Sequence, residues 1–318
     1  MAQPEHIRSV IITTSTDLRV RSAAFEWLTE QVRLHDDVLP RSILAQGFTY
    51  EGQRVPLLGP QGIFKPRILS IPLSITTVPS GPYDDGFSPD GLLLYRYRGT
   101  NPQHPDNVGL RMAMAQHIPL VYFHRVAAGR YLAVRPVFIV GDDPSNLTFK
   151  VEVDDEKFAR VDAGSESSAL FAADSASEAR RSYVTTTVRQ RIHQRSFRER
   201  VLRAYQQQCA LCRLHHEELL DAAHIIPDGE LDGEPIVPNG LALCKLHHAA
   251  FDRQFLAIRP DYIVEVRKDI LNEQDGPMLL HGLKEMHKTK IAIPRSSHDH
   301  PSMLLLERRY ERFKLATS

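Results

Sequence analysis

All three cysteines of this chain, Cys209, Cys212 and Cys244, lie in one short stretch with His224, Asn239, His247, His248 and Asp252. Cys209-Ala-Leu-Cys212 is a chelating turn whose two thiolates converge on one point. Cys244-Lys-Leu-His247 repeats the spacing with an imidazole in place of one sulfur. Together they form a Cys3His donor set suited to a structural Zn2+ ion. A disulfide fits less well, because an odd cysteine count without a secretion signal points to a reducing compartment. A second set is interleaved with the first. His224 lies in an apolar, strand-like run, Ala222 to Ile226, closed by Pro227, and Asn239 follows in a loop. His248 and Asp252 stand at i and i+4, on one face of a helix, where they can hold one cation together. A neutral imidazole can take a proton from water near neutral pH. The second set could therefore hydrolyse a phosphodiester.

The order His224, Asn239, His248 across strand, loop and helix resembles the HNH nucleases, a ββα-metal fold, over roughly residues 195–265. The resemblance implies that His224 is the general base, that Asn239 orients the strand bearing it, and that His248 binds a divalent cation, Mg2+ or another, beside the scissile phosphate. Many members carry a further metal ligand just before the base, where this chain has Ala223. Asp221 or Asp252 is then the expected substitute.

Elements must hold these groups in place. The composition, 42% apolar and 25% charged over 318 residues, is that of a globular protein of two domains. No apolar run is long enough to span a bilayer and no signal peptide is evident, so a cytoplasmic protein is expected. Formal net charge is zero, but residues 180–203 hold eight arginines against Glu199 alone. This predicted basic helix offers either a solvated face or a track for a DNA backbone, with Arg189, Arg191 and Arg195 as contacts. Val10–Thr14 reads as a strand ahead of a helix capped at Ser15-Thr16-Asp17. Fragments at 43–48 and 54–58 also read as strands.

Residues 67–153 are β-rich, with runs at Ile68–Thr77, Leu92–Arg98, Leu120–Arg125, Val134–Val140 and Leu147–Val153 around a helix at Asn107–Ala115. The segment Pro82–Gly99, P-Y-D-D-G-F-S-P-D-G-L-L-L-Y-R-Y-R-G, is similar to the start of SRA domains. That resemblance implies a barrel that binds duplex DNA and holds a flipped, modified cytosine in a cage of aromatics and acids. Tyr83, Asp84, Asp85, Tyr95, Tyr97 and Tyr131 are the pocket candidates, and Arg96 and Arg98 could contact phosphate. Equally, alternating tyrosines can be core and Asp-Asp-Gly a turn.

The expected fold class is α+β. A helix-containing extension (1–66) precedes an SRA/PUA-like β barrel domain (67–155) and a Ser/Ala-rich linker (156–178). A zinc-containing HNH nuclease domain (179–318) ends in an amphipathic helix over Met303–Lys314. The combination resembles modification-dependent, type IV-like restriction endonucleases, implying cleavage of double-stranded DNA bearing 5-methyl- or 5-hydroxymethylcytosine. A homodimer is expected, because one such site makes one nick. Two other readings stand beside it: an HNH endonuclease that ignores modification, and a non-catalytic zinc module that binds nucleic acid.

Overall fold

The computed structural model describes residues 5–77, 88, 92–153, 173–274 and 276–316, leaving aside the side chains of 5–15, 77, 173–186, 189 and 316. The chain divides into two compact units, Met1–Ile192 and His193–Ser318.

The first unit opens with helix α1, Glu5–Leu34, which runs through the strand expected at Val10–Thr14. β-branched residues lower helix propensity by only a few tenths of a kcal/mol. The four-residue spacing of buried Val20, Ala24, Leu28 and Val32 outweighs that by packing one face of α1. Strand β1 (Val38–Pro40) leads into helix α2 (Arg41–Gln46), where a strand was expected, and then the hairpin β2 (Phe48–Tyr50) and β3 (Gln53–Val55). Next come β4 (Ile63–Phe64), β5 (Ser74–Thr77), β6 (Leu93–Arg96) and α3 (Pro105–Ala115). The long strands β7 (Leu120–Ala127), β8 (Arg130–Asp143) and β9 (Thr148–Val153) follow.

One mixed sheet runs β4-β5-β7-β8-β9-β6, with β1 also on β8. Only the β5–β7 pair is parallel. The sheet curls until its ends approach. Tyr95 on β6 reaches the carbonyl of Thr76 on β5 at 3.4 Å, and Arg98 meets Gln61 at 2.6 Å. Among the described residues, side chains rather than strand pairing bridge the ends, so the expected barrel is a curled sheet. Alternation along β8 separates two cores. Leu132 and Val134 pack with Tyr95, Phe149 and Val151, whereas Tyr131 and Ala133 pack with α1, Leu39 and Phe123. Described residues from Val20 to Ile63 thus supply buried side chains to this unit's cores.

The expected linker overlaps residues 154–172, which lie outside the described residues, and its last six are helical, in α4 (Ala173–Ala204). The boundary between the units falls within α4 instead. Val188 and Ile192 bury in the first unit, and Phe197, Val201, Leu202 and Tyr205 in the second. The second unit then builds the hairpin β10 (Leu220–His224) and β11 (Gly240–Cys244), with helix α5 (Lys245–Asp252) directly after it. A hairpin of β12 (Leu256–Ile258) and β13 (Val264–Val266) and helices α6 (Lys268–Asn272), α7 (Pro277–Gly282) and α8 (Met303–Ala316) complete it. A single β-bridge joins Ile263 to Lys290. Among the described residues no helix is long and apolar enough to cross a membrane.

Arg21 is the largest fully buried side chain. Its guanidinium pairs with Asp17 one turn earlier and donates to the carbonyls of Ile71 (2.9 Å), Pro72 (2.9 Å) and Pro119 (3.0 Å). It thus joins α1 to the loops on either side of β5 and α3. Arg21→Met removes the charged partner of Asp17, which keeps only the Ser70 hydroxyl (3.3 Å) among the described residues, and the donor to three carbonyls. The expected loss is about 3–5 kcal/mol in the unfolding transition of the first unit, followed by urea and circular dichroism. An unchanged midpoint would contradict the assignment.

Candidate active site

The β10–β11 register sets up both metal sets. Leu220 pairs with Cys244 at one end of the hairpin and His224 with Gly240 at the other. The Cys209–Cys212 turn is tied to β11 by the Ala210 amide on the Ala242 carbonyl (2.7 Å). Cys244 ends β11 and His247 sits in the first turn of α5, so the four donors meet. Their ligand atoms all lie within 4.8 Å of one another. Nδ1 of His247 is 3.1 Å from the Cys244 sulfur and 3.4 Å from that of Cys209, and the Cys212 and Cys244 sulfurs are 3.9 Å apart. A tetrahedron with Zn–S of about 2.3 Å has edges of roughly 3.8 Å, so the set fits a four-coordinate zinc. Nε2 of His247 bonds the Gly282 carbonyl at 2.7 Å. That carbonyl can only accept, so Nε2 carries the proton and Nδ1 presents its lone pair to the sulfurs. Against burial, Cys209 and Cys244 raise the pKa of His247 to about 10 when no cation is bound, and a divalent cation there would displace the second ring proton and free the Nδ1 lone pair. The negative charge gathered there suits a divalent cation. Among the described residues this is the one closed cluster of three or more such donors.

Asn239 is fully buried. Its side chain accepts from the Ile226 amide (2.9 Å) and donates to the carbonyls of Ile226 and Glu234 (3.0 Å each). It therefore clamps the chain just after His224, and its own carbonyl accepts from the Ile225 amide.

His248 stands between two carboxylates. Nδ1 lies 3.4 Å from Asp221 and Nε2 3.2 Å from Asp252. Those carboxylates, against burial, raise its pKa to about 9. Asp221 is itself pressed up by burial, but His248 and Lys245 bring it down to about 2. It also accepts from Lys245 at 2.7 Å and lies 3.8 Å from Arg198. Asp221 is thus committed to cations of the protein, which suits a residue that orients His248 better than a metal ligand. Ala223 shares its strand face and is fully buried, so Asp221 is the nearer carboxylate on the side where the family's extra ligand would stand. Asp252 is 55% exposed, with one oxygen on His248 and the other 3.7 Å from Arg309. Asp221, His248 and Asp252 form a row rather than a closed cage. A Mg2+ ion, which keeps several waters and takes few protein ligands, fits such an open site.

His224 lies flat against Phe197, ring centroids 4.0 Å apart at 18°. Its Nε2 is buried and meets no hydrogen-bond partner among the described residues. Desolvation lowers its pKa, with opposing contributions from Asp228 and Asp252.

Two contributors carry no sequence signal. Arg309, from the amphipathic helix α8, stacks on Phe251 (4.6 Å), donates to the Phe251 carbonyl at the end of α5 (3.1 Å) and faces Asp252. Phe197 reads in the sequence as an ordinary apolar helix position.

Only part of the expected base pocket falls on described residues. Tyr83, Asp84 and Asp85 lie outside the described residues. Tyr95 and Tyr131 are both buried, in cores on opposite faces of the sheet, so they cannot line one cage. Tyr97 is buried too, bonding Asp142 and Arg111. Of the backbone candidates, Arg98 pairs with Asp106 and Arg191 with Asp37 (2.7 Å), Arg96 is exposed, Arg195 is half-buried, and the Arg189 side chain is outside the description.

His247 and His248 are adjacent but face different donor sets. His247→Ala should release zinc and unfold the second unit, because metal binding is folding energy in so small a core. His248→Ala should retain zinc and fold. Metal content by atomic absorption and the thermal transition check both, and equal zinc loss in the two variants would refute the division.

Residues 209–259 match the HNH endonuclease family. No curated protein sequence matches the chain. Among solved structures, the modification-dependent restriction endonuclease TagI aligns at 14% identity over 76% of this chain and 81% of that one, with a TM-score of 0.29. The type IV phosphorothioation-dependent restriction endonuclease ScoMcrA aligns at 19% identity over 59% and 51%, with a TM-score of 0.23. Through residues 209–259 the chain carries an HNH endonuclease domain.

Proposed function

We propose that this protein is a metal-dependent DNA endonuclease whose N-terminal unit selects duplex DNA carrying a modified cytosine. The observation that supports the chemistry best is the placement of His224 at the end of β10, with Asn239 clamping the chain just after it and Asp228, His248 and Asp252 acting on its ring. His224 is the general base, taking a proton from water as that water attacks phosphorus. Asn239 holds the backbone after His224. His248 and Asp252 hold the catalytic cation, Asp221 orients His248, and Cys209, Cys212, Cys244 and His247 hold zinc. Held by His248 and Asp252, a divalent cation would supply positive charge beside the scissile phosphate. Cleavage of both strands then calls for two copies of the chain. The SRA-like segment Pro82–Gly99 supports selection of a modified cytosine. The opposite faces of Tyr95 and Tyr131 favour a second reading, an HNH endonuclease indifferent to modification.

His224→Ala should lower the plasmid-cleavage rate about 100-fold or more without loss of DNA binding. Wild-type cutting by that variant sinks the assignment. A base must be neutral to act, and burial lowers the pKa of His224, so activity rises with pH. With saturating divalent cation, the half-maximal point should lie below about 6.5, the value of a free imidazole. An acid limb centred above 7 would count against His224 as base. Plasmid with modified cytosine should be cut and unmodified plasmid spared, and equal cutting of the two selects the second reading.

A further inference from the structure

We infer that Phe197 is a positioning residue for His224, fixing the plane of the imidazole by stacking on it. This rests on the reading of His224 as general base. A histidine base is ordinarily oriented by a hydrogen bond from its second ring nitrogen to a carboxylate or carbonyl. No side-chain hydrogen bond to His224 is found among the described residues, so the stack on Phe197 is what orients the ring. Phe197 is 2% exposed and sits on α4, before the residues of the HNH match, 209–259.

The hairpin register makes room for this stack. Gly240 lies directly across from His224. A Cβ added at Gly240 would come within 2.4 Å of Val201 Cγ2 and 3.0 Å of Phe197 Cζ. A side chain facing His224 across the strands would take the space these two residues fill. Instead α4 approaches the bare backbone, with Val201 beside the glycine and the Phe197 ring flat on the imidazole. The glycine, the aromatic ring and the base form one packed set. Asp228 on the loop after β10 and His248 and Asp252 on α5 are the titratable groups acting on the ring, and the stack leaves Nε2 out of bonds with all of them.

The test uses the full, zinc-loaded chain labelled with 15N at histidine, with the His224 resonances assigned by His224→Gln. Phe197→Leu keeps the buried apolar volume and removes the planar wall. Gly240→Ala displaces the ring from the other side. In both variants we expect kcat for cleavage to fall at least tenfold, with KM for DNA and zinc content unchanged. The His224 ring signals should shift and broaden as the ring samples other rotamers. Unperturbed His224 signals in Phe197→Leu overturn the proposal, whether activity holds or falls along with the melting temperature. The spectrum is read without turnover. A wild-type protein that cuts no DNA therefore refutes the endonuclease reading, while the stack is still judged on its own.

Discussion

Closure of Cys209, Cys212, Cys244 and His247 around one point is the constraint on which the nuclease unit depends. A two-stranded hairpin is marginal in water, and a helix of eight residues is well below the length that stands alone. Here a chelating turn, the end of β11 and the first turn of α5 are fastened together, and the Gly282 carbonyl fixes the imidazole that completes the set. Once the direction of α5 relative to the hairpin is set, so is the direction of His248. Successive helical residues are rotated by about 100°, which is why neighbours in sequence address two different donor sets.

The second site inherits its geometry from that frame without sharing its rigidity. Its histidines are held by contacts of other kinds: Asn239 clamps the backbone beyond His224, Phe197 covers the ring, and two carboxylates flank His248. The environments drive the two imidazoles apart. Burial keeps His224 uncharged at neutral pH, whereas flanking carboxylates stabilise the charged form of His248. The same carboxylates that favour a proton on His248 would favour a divalent cation, which must displace that proton to bind the imidazole. Arg309 reaches the same helix end from α8, on the Phe251 carbonyl and beside Asp252, so the last helix braces the site from outside the matched family segment.

In the first unit the organising interaction is polar as well. Arg21 binds three backbone carbonyls from two loops and so docks α1 on the curled sheet. Strand alternation then divides Tyr131 from Tyr95, and the aromatic residues that looked like a cage become parts of two separate cores.

Much of the nuclease site was legible in the sequence because its chemistry is local. Chelating pairs spaced by two residues and an i/i+4 histidine and aspartate depend on short-range geometry; β10 overlaps the expected run 222–226 but ends at His224, and α5 covers His248 and Asp252 but begins at Lys245. The strands from Leu120 to Val153 were equally readable from their β-branched and aromatic runs. Val10–Thr14 was misread because propensity differences of a few tenths of a kcal/mol yield to the packing of a long helix. What only the tertiary structure decided is which distant residues meet. Asp221 at His248, Phe197 on His224, Arg309 at Asp252 and the two faces that part Tyr95 from Tyr131 all follow from chain crossings and strand register. Residue types along the chain state what chemistry is on offer. The contacts between segments far apart in sequence set which groups are oriented, desolvated or neutralised, because those effects act over a few ångströms of space.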